Sequence, residues 1–530
     1  MATIITEEDE MVHNGEALPI LSASAKKMKI DKLLAAPLPT YSASVPGSYL
    51  WTKIAFWMCR RVSSVQFRTR ATSSAVPLSA AGPGAMCCGW HTNGLMDPLA
   101  IFLNHPKEFV VGARHDLVTR PLLGWWTRRL AVQPVVRKAE LLRGGCTEEE
   151  ALHLNGRSLL ALSSGVAHGF GCVLFPEGTS HSNAHMIRFK TGPIRTVLAA
   201  AAIAKSKEMP LPKVVPVGLH FRRREHFRTD QFVEFGEPIE IVDDMVPSAM
   251  VEAVQQGDWI EPPESTVHRL RDALQEQLPY LTPNASTWKE HRAVHLLAHA
   301  EAREQGKKLH TWEEEVLAAR NVRDTWPGST ATFPPQPLGG ERMAHASEAA
   351  ELLETAGLDG RDLGAKGQVF RKASWGRVPS AVLSVVLFAA LLPFSITSLG
   401  LQITLGRLLG DSTDEGLDAR TSFQFLAAFF GSLLIWPVVA GLWTVLVYLN
   451  QEALASAMGF SSSWLEVGGA SPLLGLVLVF IACFPLFWAS GKSFAWAWDV
   501  WVDTRKAWTR FRFPAEEKTR LGRLLDKINS

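Results

Sequence analysis

Three stretches toward the end of the chain, 379–406, 421–451 and 467–491, contain no charged side chain. Each exceeds the roughly 20 apolar residues that cross a bilayer as a helix, so transmembrane helices are expected there. Pro393 and Pro437 fall inside two of these runs, where a missing amide hydrogen kinks or breaks a helix. Arg371, Lys372 and Arg377 precede the first run, and Lys492, Arg505, Lys506, Arg510 and Arg512 follow the last. The tendency of basic flanks to stay cytosolic wants both on one side. Three full crossings separate them; a re-entrant run, or a fourth segment from 493–501, keeps them together.

Upstream the pattern is different. Between 83 and 245, short apolar runs alternate with helical periodicity. The runs Ala85–Gly89, Glu108–Gly112, Gln133–Val136, Cys172–Phe175, Val214–Leu219 and Phe232–Phe235 read as strands. Glu148–Val166 and Pro193–Lys205 read as helices between them. This alternation predicts a layered α/β domain, a central mixed sheet flanked by helices. Charged amphipathic helices follow over Val267–Gln277 and Thr287–Glu304. The Pro-, Gly- and Thr-rich stretch 326–345 reads as a linker.

Before the α/β region, SYLWTKIAFWMCRR (48–61) is too short to span a bilayer. It reads as an interfacial helix with Trp51, Phe56 and Trp57 at headgroup level, or as a helix packed on the soluble core. The first 45 residues carry Glu7, Glu8, Asp9 and Glu10 without an apolar core, and read as a disordered lead rather than a secretory signal. The domain division is thus 1–45 lead, 46–325 soluble domain, 326–378 linker and amphipathic segment, 379–491 transmembrane region and 492–530 basic amphipathic tail.

Composition narrows the function classes. A net charge of +2 gives no global field for nucleic acid. The six cysteines are scattered, with Cys87 and Cys88 adjacent, which is neither a disulfide framework nor a zinc pattern. Eighteen Trp against four Tyr, many beside the apolar runs, fits indoles at a membrane interface.

Two islands carry candidate chemistry. The first is His91-Thr92-Asn93-Gly94-Leu95-Met96-Asp97-Pro98. Asp97-Pro98 suits the N-cap and first position of a helix, with His91 on a loop folded back over it. A carboxylate within reach fixes the imidazole tautomer and favours the imidazolium formed when a proton is taken. The second island is Val173-Leu174-Phe175-Pro176-Glu177-Gly178-Thr179-Ser180, an apolar strand entering a turn. There Gly178 permits close backbone approach, and exposed amides with Thr179 can hold phosphate oxygens. Arg188 and Lys190 add positive charge downstream. Taken singly, each island also reads as ordinary, a capped helix start and a strand-to-helix turn. Arg222, Arg223, Arg224 and Arg228 form a basic cluster that reads either as a site for CoA phosphates or lipid headgroups, or as a solvated run. His181 and His185 are spaced for a metal on a helix but lack a third ligand, and Cys87 and Cys88 read as strand filling rather than nucleophiles.

Four blocks in order, HTNGLMD, QPVVRKAE, FPEGTSHS and VVPVGL, make the chain resemble the glycerolipid acyltransferase superfamily. Five residues separate His91 from Asp97, where four are commonest. That longer spacing, with Ser180-His181 after the turn and VPVGLHFRRREHFR, resembles the yeast-type endoplasmic-reticulum glycerol-3-phosphate/dihydroxyacetone-phosphate acyltransferases. The resemblance implies an acyl-CoA-dependent transferase that acylates glycerol 3-phosphate at sn-1 and gives lysophosphatidic acid, the first step of glycerolipid synthesis. It implies His91 as general base and Asp97 as its orienter. Arg137, Glu177, Gly178 and Thr179 take the acceptor, and Lys190 substitutes for an arginine missing after the turn. Acyl-CoA is co-substrate, and no cofactor or metal is required because a thioester is already activated. The implied setting is the endoplasmic reticulum membrane, multi-pass, with the catalytic domain facing the cytosol and no nucleic-acid partner. A lysophospholipid acyltransferase and a non-catalytic membrane lipid-binding protein are the alternatives.

Overall fold

The computed structural model describes residues 12–13, 16–17, 28–34, 45–136, 146–327, 329, 334–373, 375–411, 417–459 and 472–529. Arg137 lies outside the described residues. After helix α1 (Tyr49–Gln66), the strands are β1 (Phe67–Ser74), β2 (Ala85–Gly89), β3 (Phe109–Arg114), β4 (Gln133–Val135), β5 (Gly171–Val173), β6 (Lys213–Phe221), β7 (Thr229–Phe235) and β8 (Ile239–Glu240). Seven of them form one sheet in the order β1-β7-β6-β2-β5-β3-β4, and β8 adds to β6. Pairing is parallel except for β6 with β7 and β8 with β6, so the sheet is mixed as expected.

The middle of the sheet follows from composition. Ala85-Met86-Cys87-Cys88-Gly89 has no polar side chain and is buried throughout, as a parallel strand covered on both faces must be. Helices α2 (Met96–Asn104), α3 (Glu148–Ala167) and α4 (Gly192–Ser206) contribute Ile101, Leu162, Val166, Val197 and Leu198 to the same core. Helix α3 starts at Thr147, whose hydroxyl takes the Glu150 amide while Glu150 reaches back to the Thr147 amide. Gly84 lets β2 enter beneath the end of this helix, since a Cβ there would lie 1.9 Å from the Val166 carbonyl oxygen. The strands β1 and β8 escape a pattern-based reading. Phe-Arg-Thr-Arg-Ala-Thr-Ser-Ser in β1 is a half-exposed edge with little apolar content, and β8 is only two residues long.

Two further expectations change. Of the α1 aromatics, Trp51 packs edge-on against Trp125 and Trp126 at 5.0 and 5.3 Å, and Phe56 against Phe102 at 6.4 Å. Trp57 is exposed. The helix therefore rests on the soluble core, and only one of the three rings faces outward. The segments expected as linker and tail are also structured. Helices α5 (Trp288–Glu304), α6 (Trp312–Asp324), α7 (Glu341–Thr355) and a C-terminal helix Ala515–Asn529 share a second core around Leu297, Leu353, Leu521 and Leu525.

The apolar region comprises α8 (Val378–Ala390), α9 (Gly400–Asp411), α10 (Leu417–Leu449) and α11 (Pro472–Phe511). Two helices, Arg420–Leu449 and Leu473–Phe511, are long and apolar enough to cross a membrane. The pair Val378–Ala390 and Leu392–Asp411 is bent by 59° and makes a third span if counted as one. The break falls beside Pro393, which lacks the amide hydrogen a continuous helix needs. Pro437 and Pro485 instead lie inside continuous helices. Val382, Val386, Leu434, Val438, Leu442 and Ile481 point outward and are more than half exposed, a surface that suits hydrocarbon rather than water.

Three histidines give the fold an expected sensitivity to acid. The His105 ring lies against Phe109 and Phe235, and its Nδ1 accepts the Lys107 amide at 3.1 Å. Burial, with the Lys107 charge added, pushes its pKa down to about 4. On α5, burial and the neighbouring His220 push His291 down to about 3, and His295 is lowered in the same way. These rings are neutral when folded but titrate near 6.5 when unfolded, so the unfolded state binds more protons as pH falls below 6.5. Each therefore weakens the folded state progressively as pH falls below 6.5. The unfolding temperature is expected to fall steadily from pH 6.5 to 4.5, and His105→Gln to flatten that fall. A flat profile across this range contradicts the assignment.

Candidate active site

Strands β2, β5 and β6 lie side by side and parallel, with β2 in the middle and Cys87 level with Val173 and Val215. Their C-terminal ends therefore open on one edge of the sheet. The segments that follow them are the His91 loop, the Phe175–Ser180 turn and the arginine cluster. Open α/β sheets place ligand sites at such edges. Topology alone thus gathers motifs that are far apart in sequence.

His91 Nδ1 lies 2.9 Å from Asp97 Oδ2. The same oxygen accepts the Thr92 and Asn93 amides, each at 2.7 Å. Asp97 is fully buried, while the His91 side chain retains 18% exposure. Three donors on one oxygen fix the carboxylate in place, and a carboxylate acceptor sets the imidazole N–H on Nδ1. Nε2 has no hydrogen-bond partner among the described residues. The imidazole stacks on Phe175 at 4.0 Å and 6° between planes, so its orientation is fixed from two directions. One detail differs from the expected capping. The helix begins at Met96, and Asp97 lies inside its first turn. Its carboxylate ties down the loop before the helix rather than the helix amides, because the loop curls back far enough to present its own.

Glu177 knits the two islands together. Its Oε2 accepts the His91 amide at 2.7 Å, and its Oε1 accepts the Ile187 amide at 2.8 Å and lies 2.7 Å from His181 Nε2. The His181 amide in turn donates to the His91 carbonyl at 3.0 Å. Glu177 is fully buried, so the expected contact of its carboxylate with an acceptor is corrected: both oxygens already serve the protein. At the surface of the turn, Gly178 has φ +70°, and the Lys190 side chain lies across it, where an added Cβ would meet its Cδ at 2.9 Å and Nζ at 3.0 Å. The Lys190 amide donates to the Pro176 carbonyl at 2.6 Å. Thr179 is half-buried beside them. Gly178, whose positive φ disfavours a side chain, and the Lys190 ammonium thus share one exposed spot, with Thr179 next in the chain.

The arginine cluster is corrected residue by residue. Arg222 is held by Asp230 at 2.7 Å and by both oxygens of Glu315 at 2.6 Å, with its guanidinium over the Trp312 ring at 4.3 Å. Arg223 forks onto Glu354. Arg224 donates to the carbonyls of Thr92 at 2.7 Å and His181 at 3.1 Å, bridging both islands from behind. Arg228 pairs with Asp499. Carboxylates thus engage Arg222 and Arg223, which removes them as free cations for CoA phosphates, whereas Arg224 is held by neutral loop groups and has no carboxylate paired to it among the described residues. Cys87 and Cys88 are buried, and burial pushes the Cys87 thiol up to about 12 and the Cys88 thiol well above its usual range. Neither is a nucleophile near neutral pH. His185 turns to the Ala285 carbonyl, away from His181.

Two residues escaped the sequence reading. Thr421, at the start of the apolar part of α10, donates to the Asn93 side-chain oxygen at 2.7 Å, and the Ser422 hydroxyl accepts the Leu95 amide at 2.9 Å. Both are buried. The apolar helix therefore grips the loop that carries His91. The only sequence signal was a Thr-Ser pair opening an apolar run.

Comparison with known proteins agrees with this geometry. Residues 64–220 match the family model described as Acyltransferase. The chain is 30% identical over 147 residues to glycerol-3-phosphate O-acyltransferase 2 of Saccharomyces cerevisiae, covering 28% of this chain and 18% of that protein. It is 33% identical over 81 residues to glycerol-3-phosphate O-acyltransferase 1 of the same organism, covering 15% of this chain and 10% of that one. It is also 28% identical over 151 residues to 1-acyl-sn-glycerol-3-phosphate acyltransferase of Streptococcus pneumoniae, covering 28% of this chain and 47% of that protein. The chain thus spans less than a fifth of the yeast relatives' length and about half of the bacterial one. Both islands, and the strands β2 and β5 that lead into them, lie inside the segment that matches the Acyltransferase family model.

Proposed function

We propose that the protein transfers a fatty acyl group from acyl-CoA to the sn-1 hydroxyl of glycerol 3-phosphate, with dihydroxyacetone phosphate as a second acceptor. The observation that carries this reading is His91, locked on Asp97 through Nδ1 with Nε2 open, beside the exposed Gly178–Lys190 spot. His91 Nε2 takes the proton of the acceptor hydroxyl as its oxygen attacks the thioester carbonyl carbon. The tetrahedral intermediate collapses, the C–S bond breaks, and CoA sulfur leaves with the proton returned by Nε2. The products are 1-acyl-glycerol 3-phosphate and free CoA. Asp97 favours the imidazolium in between, Glu177 positions the loop, and Gly178, Thr179 and Lys190 hold the phosphate. Arg137 is assigned to the same phosphate from family resemblance alone. No cofactor or metal takes part in the scheme. The acceptor headgroup stays wet while the acyl chain partitions into hydrocarbon, which fits a soluble domain seated on apolar helices. The setting proposed is the endoplasmic reticulum membrane with this domain on the cytosolic side. The bacterial relative supports a second reading, acylation of lysophosphatidate by the same residues.

The phosphate assignment has its own test. Lys190→Gln is expected to raise KM for glycerol 3-phosphate about tenfold, the usual scale of one charge-assisted contact, and to leave KM for acyl-CoA unchanged. An unchanged acceptor KM removes Lys190 from the site.

A further inference from the structure

A cavity of about 1180 Å³ lies between α1, α9, α10, α11 and the turn joining β6 to β7. It exceeds the roughly 300–1,000 Å³ usual for small-molecule sites. The wall it takes from α11, Phe484 to Thr509, runs roughly 37 Å at helical rise. Its character changes along that length. Leu433, Trp436, Phe484 and Phe487 line one end, and Arg223, Arg361, Arg505 and Lys506 line the other. A membrane lipid has this same division, a chain of roughly 15 Å (half a bilayer core) under a polar head.

Charge narrows the head group. Asp499, Asp359 and Glu354 neutralise Arg228, Arg361 and Arg223. Arg61 instead lies over the rings of Trp57 and Trp488, and Arg505 over Trp501, with no carboxylate paired to either among the described residues. Trp488 and Trp501 stand 13 residues apart on α11, roughly 20 Å at helical rise, so Arg61 lies beside the apolar end, while Arg505, with Lys506, stands at the cationic end and suits an anionic head group there. The acyl donor fits less well. None of His91, Asp97, Gly178, Thr179 and Lys190 lines the cavity, so a chain seated there does not present its thioester to His91. The cavity does include Arg420 and Gln424, neighbours of Thr421 and Ser422, which bond the His91 loop.

We propose that this cavity holds one net-negative, phosphate-headed membrane lipid as a resident ligand rather than a reactant, and that its occupancy braces α10 against the His91 loop. The binding claim stands apart from the acyl-transfer reading. The full-length protein is purified in detergent, stripped of lipid, and titrated with phosphatidate, phosphatidylcholine and palmitoyl-CoA. Bound lipid is counted by mass spectrometry, and unfolding temperature is followed in parallel. Wild type is expected to retain about one phosphatidate per chain, to bind it at least tenfold more tightly than phosphatidylcholine, and to gain thermal stability from it. Gly491→Phe projects into the slot, since an added Cβ comes into ordinary contact with Leu399 and Val65 of its lining, at 3.8 and 3.9 Å, and is expected to lower retention at least tenfold. Arg505→Gln is expected to erase most of the preference over phosphatidylcholine without changing the unfolding temperature of the stripped protein, and it decides the matter if Gly491→Phe does not fold. Equal binding of phosphatidylcholine, no retained lipid, or displacement of phosphatidate by stoichiometric palmitoyl-CoA overturns the proposal.

Discussion

His91→Ala is expected to lower kcat for acyl transfer about 10³-fold, within the 10²- to 10⁴-fold range of a positioned general base, while KM for either substrate moves less than threefold. Beyond Asp97 and the Phe175 ring, no hydrogen bond or ring contact holds the imidazole among the described residues. It stacks on Phe175 at the surface and is 18% exposed, so its removal leaves the core intact. The unfolding temperature should stay within 2 °C of wild type. Asp97→Ala in the same background should add almost nothing, because a base and its orienter act as one unit and their effects do not sum. A His91→Ala protein with a tenth or more of wild-type kcat removes the base from the mechanism.

Glu177→Ala is expected to lose both activity and stability, which separates a positioning residue from a substrate contact. The substitution leaves the His91 and Ile187 amides and the His181 ring without their acceptor in a fully buried place. Orphaned buried donors cost about 1–3 kcal/mol each. We expect an unfolding temperature lower by about 10 °C and kcat down at least 100-fold. Glu177→Gln should recover part of the stability, since its carbonyl still accepts from one side. A stable Glu177→Ala protein with a raised acceptor KM and normal kcat would return Glu177 to the role of substrate ligand.

Much of the sheet was legible because its middle strands are apolar from end to end, and a buried parallel strand has few other compositions open to it. The edge strand β1 was not, since half its side chains face water. The pairing of His91 with Asp97 could be read from their proximity in the chain. What Asp97 does with its remaining lone pairs could not, because that depends on the curl of the loop. The arginines illustrate the same limit more sharply. Arg222, Arg223 and Arg224 look like a free cationic run until the fold brings Asp230, Glu315, Glu354 and two loop carbonyls to them. Thr421 and Ser422 lie in a different region of the chain altogether, and only packing places them on the catalytic loop. Local composition is enough to recognise a strand or a motif; the partners that decide a charged residue's role are mostly distant in sequence.

The most direct test of the central claim is an acceptor comparison on microsomes carrying the full-length protein or its His91→Ala variant. Labelled glycerol 3-phosphate, dihydroxyacetone phosphate and lysophosphatidate are each offered with acyl-CoA, and the position of the new ester is determined. The account predicts His91-dependent acylation of glycerol 3-phosphate at sn-1. Acylation of lysophosphatidate alone would contradict the acceptor assignment, and equal product from wild type and His91→Ala would contradict the chemistry.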